Sequence, residues 1–146
     1  MTAPLSAAQI LRAAAEIVER PGAWIQGVAA RDVDGVCVGL VRDIRTLGVC
    51  FCAQGAMWAV TGDAEAAGDA EEALRKAIPA STPGGYRSIA LWNDTPGRTA
   101  DEVATAMRRA ADTLDPPHRS DACATGGDPC VATCCMPTAK DDEAAT

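Results

Sequence analysis

The sequence predicts an α+β fold, helix-dominated, with about four helices and a small β-hairpin. It places a single domain over residues 1–117 and a disordered, Cys-containing acidic tail over residues 118–146. Three observations predict this. Two capping boxes each open a run of apolar residues at helical spacing. Between them, glycines and β-branched residues displace the Ala-rich helical pattern. After Pro116-Pro117, apolar periodicity stops altogether.

The elements follow in order. Ser6-Ala7-Ala8-Gln9 is a capping box, in which a Ser hydroxyl and a Gln amide satisfy free N–H groups. Ile10, Leu11, Ala14, Ile17 and Val18 continue it as one apolar face, so a helix spans residues 7–20 until Pro21-Gly22. Val28 to Asp32, then Asp34-Gly35, then Val36 to Val41, predicts a hairpin with an Asp-Gly turn. Arg42 to Gly48 fits either a loop or one helical turn. Residues 52–61 read as a short buried helix stopped by Gly62-Asp63. Asp69 opens a helix over 69–78 by N-cap logic, with Glu71–Arg75 and Glu72–Lys76 as supporting pairs and Leu74, Ala77 and Ile78 facing the core. Ser88 to Trp92 reads as a short strand. Thr95-Pro96-Gly97-Arg98 suits a type II turn, and Thr99-Ala100-Asp101-Glu102 is the second capping box. Val103, Ala106, Met107, Ala110, Ala111 and Leu114 mark the helical face over 100–114.

Composition bounds the function. The chain has 146 residues and a formal net charge of -7, with 3% aromatics and a single His. An acidic balance argues against sequence-general nucleic-acid binding, which relies on basic groups to neutralise phosphate. Residues 1–115 carry 15 acidic and 11 basic groups, a net of -4, which leaves room for a local patch of Arg31, Arg42, Arg45 and Arg98. No apolar run approaches the roughly 20 residues that span a bilayer, and no secretory signal opens the sequence. A cytoplasmic protein with reduced cysteines is the expectation. No Gly-rich phosphate motif is present, so no cofactor is expected. Asp32-Val33-Asp34-Gly35 superficially matches a calcium loop, but Val41 stands where a bidentate Glu belongs.

The segment Trp92-Asn93-Asp94-Thr95-Pro96-Gly97-Arg98-Thr99-Ala100-Asp101-Glu102-Val103 resembles a motif WND-x-PGRT-x-x-EV. That motif marks a small uncharacterised family of high-GC bacteria and their phages. Trp24-Ile25-Gln26-Gly27 is similar to its W-x-QG, and Ala30-Arg31-Asp32 with Gly35 to its ARD-x-x-G. Phe51-Cys52-Ala53-Gln54-Gly55-Ala56-Met57 is similar to its WC-x-x-GAL, with Phe51 in place of Trp. The resemblance spans the predicted domain and implies a domain of unknown function, of bacterial or phage origin. It does not extend to the tail.

The candidate chemistry is sparse. Cys52 would gain thiolate character at a helix start, but a nucleophilic Cys needs a base and the lone His lies in the tail. Packing is the stronger reading for Cys52, and for Cys37 and Cys50. Asn93, Asp94 and Arg98 could form a polar site, with Asp94 as acid or base; turn chemistry accounts for them more simply. His118, Cys123, Cys130, Cys134 and Cys135 have the count for tetrahedral zinc, without a C-x-x-C pair. The sequence thus favours a non-enzymatic accessory protein that binds an unknown protein partner beside Trp24, Arg31, Trp92, Asn93, Asp94 and Arg98. A small enzyme or ligand-binding protein built on Cys52, and a zinc-binding tail, are the alternatives.

Overall fold

The computed structural model describes residues 3–117. Among them six helices and two short strands follow in the order α1 (Ala7–Glu19), β1 (Ala30–Arg31), α2 (Val41–Leu47), β2 (Cys50–Phe51), α3 (Ala53–Thr61), α4 (Gly68–Ala77), α5 (Ile89–Asn93) and α6 (Ala100–Leu114). The helix-dominated α+β class is as the sequence predicts.

Helices α1 and α6 form the largest interface of the fold. Both start at the predicted capping boxes. The Gln9 N–H donates to Ser6 Oγ at 3.2 Å, and the Glu102 N–H donates to Thr99 Oγ1 at 3.2 Å. Ile10, Leu11, Ala14 and Val18 of α1 are buried, as are Val103, Met107, Ala110 and Ala111 of α6. Buried alanines in both stripes, Ala14 and Ala15 in α1 and Ala104, Ala110 and Ala111 in α6, leave room for the larger side chains between them. Arg108 grips both carboxylate oxygens of Glu19, and Arg12 reaches Asp112 and Asp115 at 3.2 Å each. These pairs lie at the surface, where solvent screening keeps each contribution small. They fix register more than they add stability.

The β structure is a four-stretch patch around two short strands. β1 pairs antiparallel with β2, with Ala30 opposite Phe51 and Arg31 opposite Cys50. Single bridges add Trp24 beyond Phe51 and Cys37 beyond Arg31. The Asp-Gly turn is where the sequence places it: Asp32 Oδ1 accepts from the N–H groups of Asp34 and Val36 at 2.9 Å, and Gly35 has φ +79°. The returning arm is much shorter than expected. It pairs at Cys37 alone, because Val36 and Leu40 find no core and stand 59% and 52% exposed.

Two helices exceed the predicted four. Val41–Leu47 is α2, with Ile44 buried and no side-chain cap. Ile89–Asn93 is α5 and not a strand: Ser88 Oγ accepts from the Leu91 N–H, and Ile89 and Trp92 turn inward at helical spacing. α4 also differs in detail. It starts after Ala67 without a side-chain cap, so Asp69 lies inside the first turn. Arg75 pairs with Glu72 and not with Glu71, and Ala77 is exposed. Glu71 is drawn away by α3, accepting from Trp58 Nε1 at 2.6 Å and Gln54 Nε2 at 3.1 Å.

Candidate functional site

Asn93 is fully buried at the end of α5 and uses its whole carboxamide. Its Oδ1 accepts from Trp24 Nε1 at 2.8 Å and from the Ala53 N–H at 3.0 Å. Its Nδ2 donates to the Ile25 carbonyl at 3.1 Å and to Asp94 Oδ1 at 2.9 Å. A carboxamide has two donor hydrogens and two acceptor lone pairs, so nothing is left over. These are tertiary bonds, spanning 40 to 69 residues of sequence apart from the one to Asp94. The turn role expected for Asn93 is therefore incorrect. Asp94 acts similarly, accepting from the Gly27 N–H at 2.9 Å. Gln26 closes the cluster by donating to the carbonyls of Asn93 and Thr95.

Cys52 is the N-cap of α3, and its Sγ accepts from the Gly55 N–H at 3.3 Å. The start of α3 is thus capped twice, by a sulfur from within and by Asn93 from afar. Position 55 admits only glycine. A Cβ there would lie 1.8 Å from the Ala29 carbonyl oxygen. That same carbonyl accepts from the Cys52 N–H at 3.0 Å, which ties α3 to the chain entering β1. Cys52 does not gain the thiolate character expected of a helix start. Burial pushes its thiol above the usual range, the N–H groups of Gly55 and Gln54 oppose this, and the charge of Asp94 pushes it up further. A buried sulfur loses more from leaving water than it gains from two partial charges.

Cys52 and Asp94 nevertheless share a cavity of about 110 Å³, with Gly27, Ala29, Gln54 and Ala90. It has room for a few waters or a very small ligand; ordinary small-molecule sites begin near ~300 Å³. Among the described residues that line it, the one titratable group besides Cys52 is the Asp94 carboxylate, whose charge disfavours thiolate.

The other predicted residues point elsewhere. Trp92 and Arg98 line a separate hollow of about 380 Å³ beside α4 and α6. The Arg98 guanidinium lies 4.7 Å from the Trp92 ring centre, and its Nε donates to the Trp92 carbonyl at 3.0 Å. Arg31 donates to the Gly35 carbonyl at 2.8 Å and so holds its own turn. Trp24 is half-buried above Asn93. The metal candidates His118, Cys123, Cys130, Cys134 and Cys135 lie outside the described residues. Among the described residues, no group of three or more His, Cys, Asp or Glu could hold a metal ion. No helix there is long and apolar enough to cross a membrane.

Sequence reasoning missed Gln26, Gly27, Gly55 and Glu71. A signal for the first two existed: Trp24-Ile25-Gln26-Gly27 and Trp92-Asn93-Asp94 each follow a Trp with amide or carboxylate side chains, and they bind each other.

The profile of a family of unknown function, DUF6197, matches residues 2–113. No curated protein and no solved structure matches the chain.

Proposed function

The chain belongs to the DUF6197 family, and we propose that it is a non-enzymatic accessory protein that works by binding another protein. One observation carries this reading. The polar groups that could have done chemistry already have partners within the chain: Asn93 is saturated, Asp94 accepts from Asn93 and the Gly27 N–H, Arg31 holds the Gly35 carbonyl, and Cys52 is buried as a neutral thiol. What the surface offers is apolar. Val33, Val36, Leu40, Leu47 and Val49 are all 44% exposed or more, within the one segment 33–49 that follows Arg31. Exposed apolar side chains gathered in one region favour protein contact. The same reading makes the protein cytoplasmic with reduced thiols, in line with the free Cys37, Cys50 and Cys52, and of bacterial or phage origin. The acidic balance of the chain speaks against sequence-general nucleic-acid binding.

A photo-crosslinking residue at Leu40 or Leu47, in the source organism, tests it. One discrete protein adduct is expected, abolished by Val36→Lys. Absence of any protein adduct at both positions would refute the reading.

The shared cavity of Cys52 and Asp94 favours a second reading, a site for a very small polar ligand. Screening of small fragments by chemical shift tests it, with perturbations centred on Gly27 and Cys52 as the expected result. A zinc-binding tail is a further proposal, tested by metal content of the full chain against one ending at Leu114.

A further inference from the structure

The seam between α4 and α6 carries three adjoining hollows. The first lies against Trp92, Ile78 and Ala106, and has about 380 Å³. The second lies against Lys76, Arg109 and Thr113. The third lies against Ala7, Ala73, Ala110 and Leu114, and is the most apolar. Ala77 lines all three, Arg109 joins the first to the second, and Lys76 and Thr113 join the second to the third. They therefore form one groove. From Asp101 to Leu114 it follows α6 for about 20 Å, at 1.5 Å per residue.

We infer that this groove seats an amphipathic helix of a partner protein, with an acidic side chain between two apolar ones. Its length matches between three and four turns of helix. Its floor of Ala73, Ala77, Ala106 and Ala110 lets another helix approach closely. The apolar anchors enter the Trp92–Ala106 hollow and the Ala110–Leu114 hollow. Charge selects the middle position. The Arg109 guanidinium has no ion pair or hydrogen bond among the described residues, and Lys76 is 75% exposed and pairs with Glu72 at 3.7 Å. Carboxylates line the outer hollows, Asp101 and Glu102 in the first and Asp69 and Glu72 in the third, and disfavour an acidic side chain there. The one carboxylate in the middle hollow, Asp112, is already held by Arg12. In the middle hollow a partner carboxylate meets Arg109 and the exposed end of Lys76, and the carboxylates nearest to it, Asp112 and Glu72, already have partners. This rests on the protein-contact reading and extends it to a second surface, between α4 and α6.

The test is selection from a library of helical peptides displayed on a rigid scaffold, against the full chain. The expected consensus has an acidic residue one to two turns from an apolar residue on each side. Two sets of variants at exposed positions decide it. Ala77→Gln fills the point where the hollows meet and should abolish binding. The double change Lys76→Glu with Arg109→Glu should weaken the selected peptides by about tenfold or more, as charge pairs at interfaces do. Selection against that double variant should return a basic residue in the middle position. Peptides unaffected by both changes overturn the groove, while leaving the protein-contact reading to the Leu40 and Leu47 cross-links. An empty selection also overturns it. So does a response of Lys76 and Arg109 to inorganic phosphate without any peptide binding, which would mark a small-anion site.

Discussion

Replacing Asn93 by Ala should cost about 3–5 kcal/mol. The side chain makes four hydrogen bonds, and its removal strands partners of unequal exposure. Asp94 is exposed and regains water. The Ala53 N–H is buried, and it is the first N–H of α3, with no intrahelical acceptor. Ile25 O and Trp24 Nε1 are partly buried. An unsatisfied buried polar group costs about 1–3 kcal/mol, so one full loss and two partial ones reach the stated range. Ordinary domains hold about 5–15 kcal/mol in total, so the variant sits near its folding threshold. Urea unfolding followed by circular dichroism measures it. With an m-value of about 1.5 kcal/mol/M, the midpoint should fall by about 2–3 M. Trp24→Phe is the control: it leaves only one lone pair of Asn93 Oδ1 unmet and should cost about 1 kcal/mol. If Asn93→Ala loses less than Trp24→Phe, the bonds are not what holds this region, and the architectural account of the site fails.

Three other outcomes follow from the same geometry. Gly55→Ala drives a Cβ to 1.8 Å from a backbone carbonyl, and should destabilise by about 3 kcal/mol or prevent folding, read as melting temperature or soluble yield; a native-like melting temperature would mean that α3 slides freely from β1. In the native chain at pH 8, Cys37 should react quickly with a thiol reagent while Cys52 stays silent until denaturant is added, since Cys52 is buried and its thiol lies above the usual range; peptide mapping of the labelled sites checks this. Arg108 holds the Glu19 carboxyl below its ordinary value of 4.5, so the stabilisation is present above that pH and fades as pH falls through the lowered value. The stability gap between the native chain and Glu19→Gln should therefore narrow on acidification through and below the ordinary carboxyl range; a gap independent of pH would assign the loss to packing.

The elements legible in the sequence were those whose instructions are local. Ser6–Gln9 and Thr99–Glu102 each cap a helix through neighbours three residues apart, and α1 and α6 then read from their apolar stripes. The Asp32–Gly35 turn was legible for the same reason. α5 was not, because the run from Ser88 to Trp92 is too short and too continuously apolar for periodicity to separate a buried strand from a turn of helix. α2 has a leucine at its N-cap and one buried side chain, so packing of Ile44 and not propensity makes it a helix. The apolar run from Val36 to Val41 imitated a buried strand, although Val36 and Leu40 face solvent. At the site, the residues were legible and their partners were not. Asn93 reads as a turn residue until Trp24, Ile25 and Ala53 arrive from 40 to 69 residues away. Cys52 reads as activated until burial is counted against the helix start.

The long reach of Asn93 bears on how the chain is made. On the ribosome, Ala53 emerges 40 residues ahead of the amide that completes it. Until then the start of α3 lacks its distant cap, and Trp24 waits still longer for its acceptor. α1 likewise waits for α6, its largest contact, which is translated last among the described elements. The nascent polypeptide therefore has no stable halfway product, and the domain should fold after release of nearly its whole length. A stalled nascent chain ending shortly before Asn93 should be protease-sensitive throughout, and one carried well past Leu114 should become resistant in a single step.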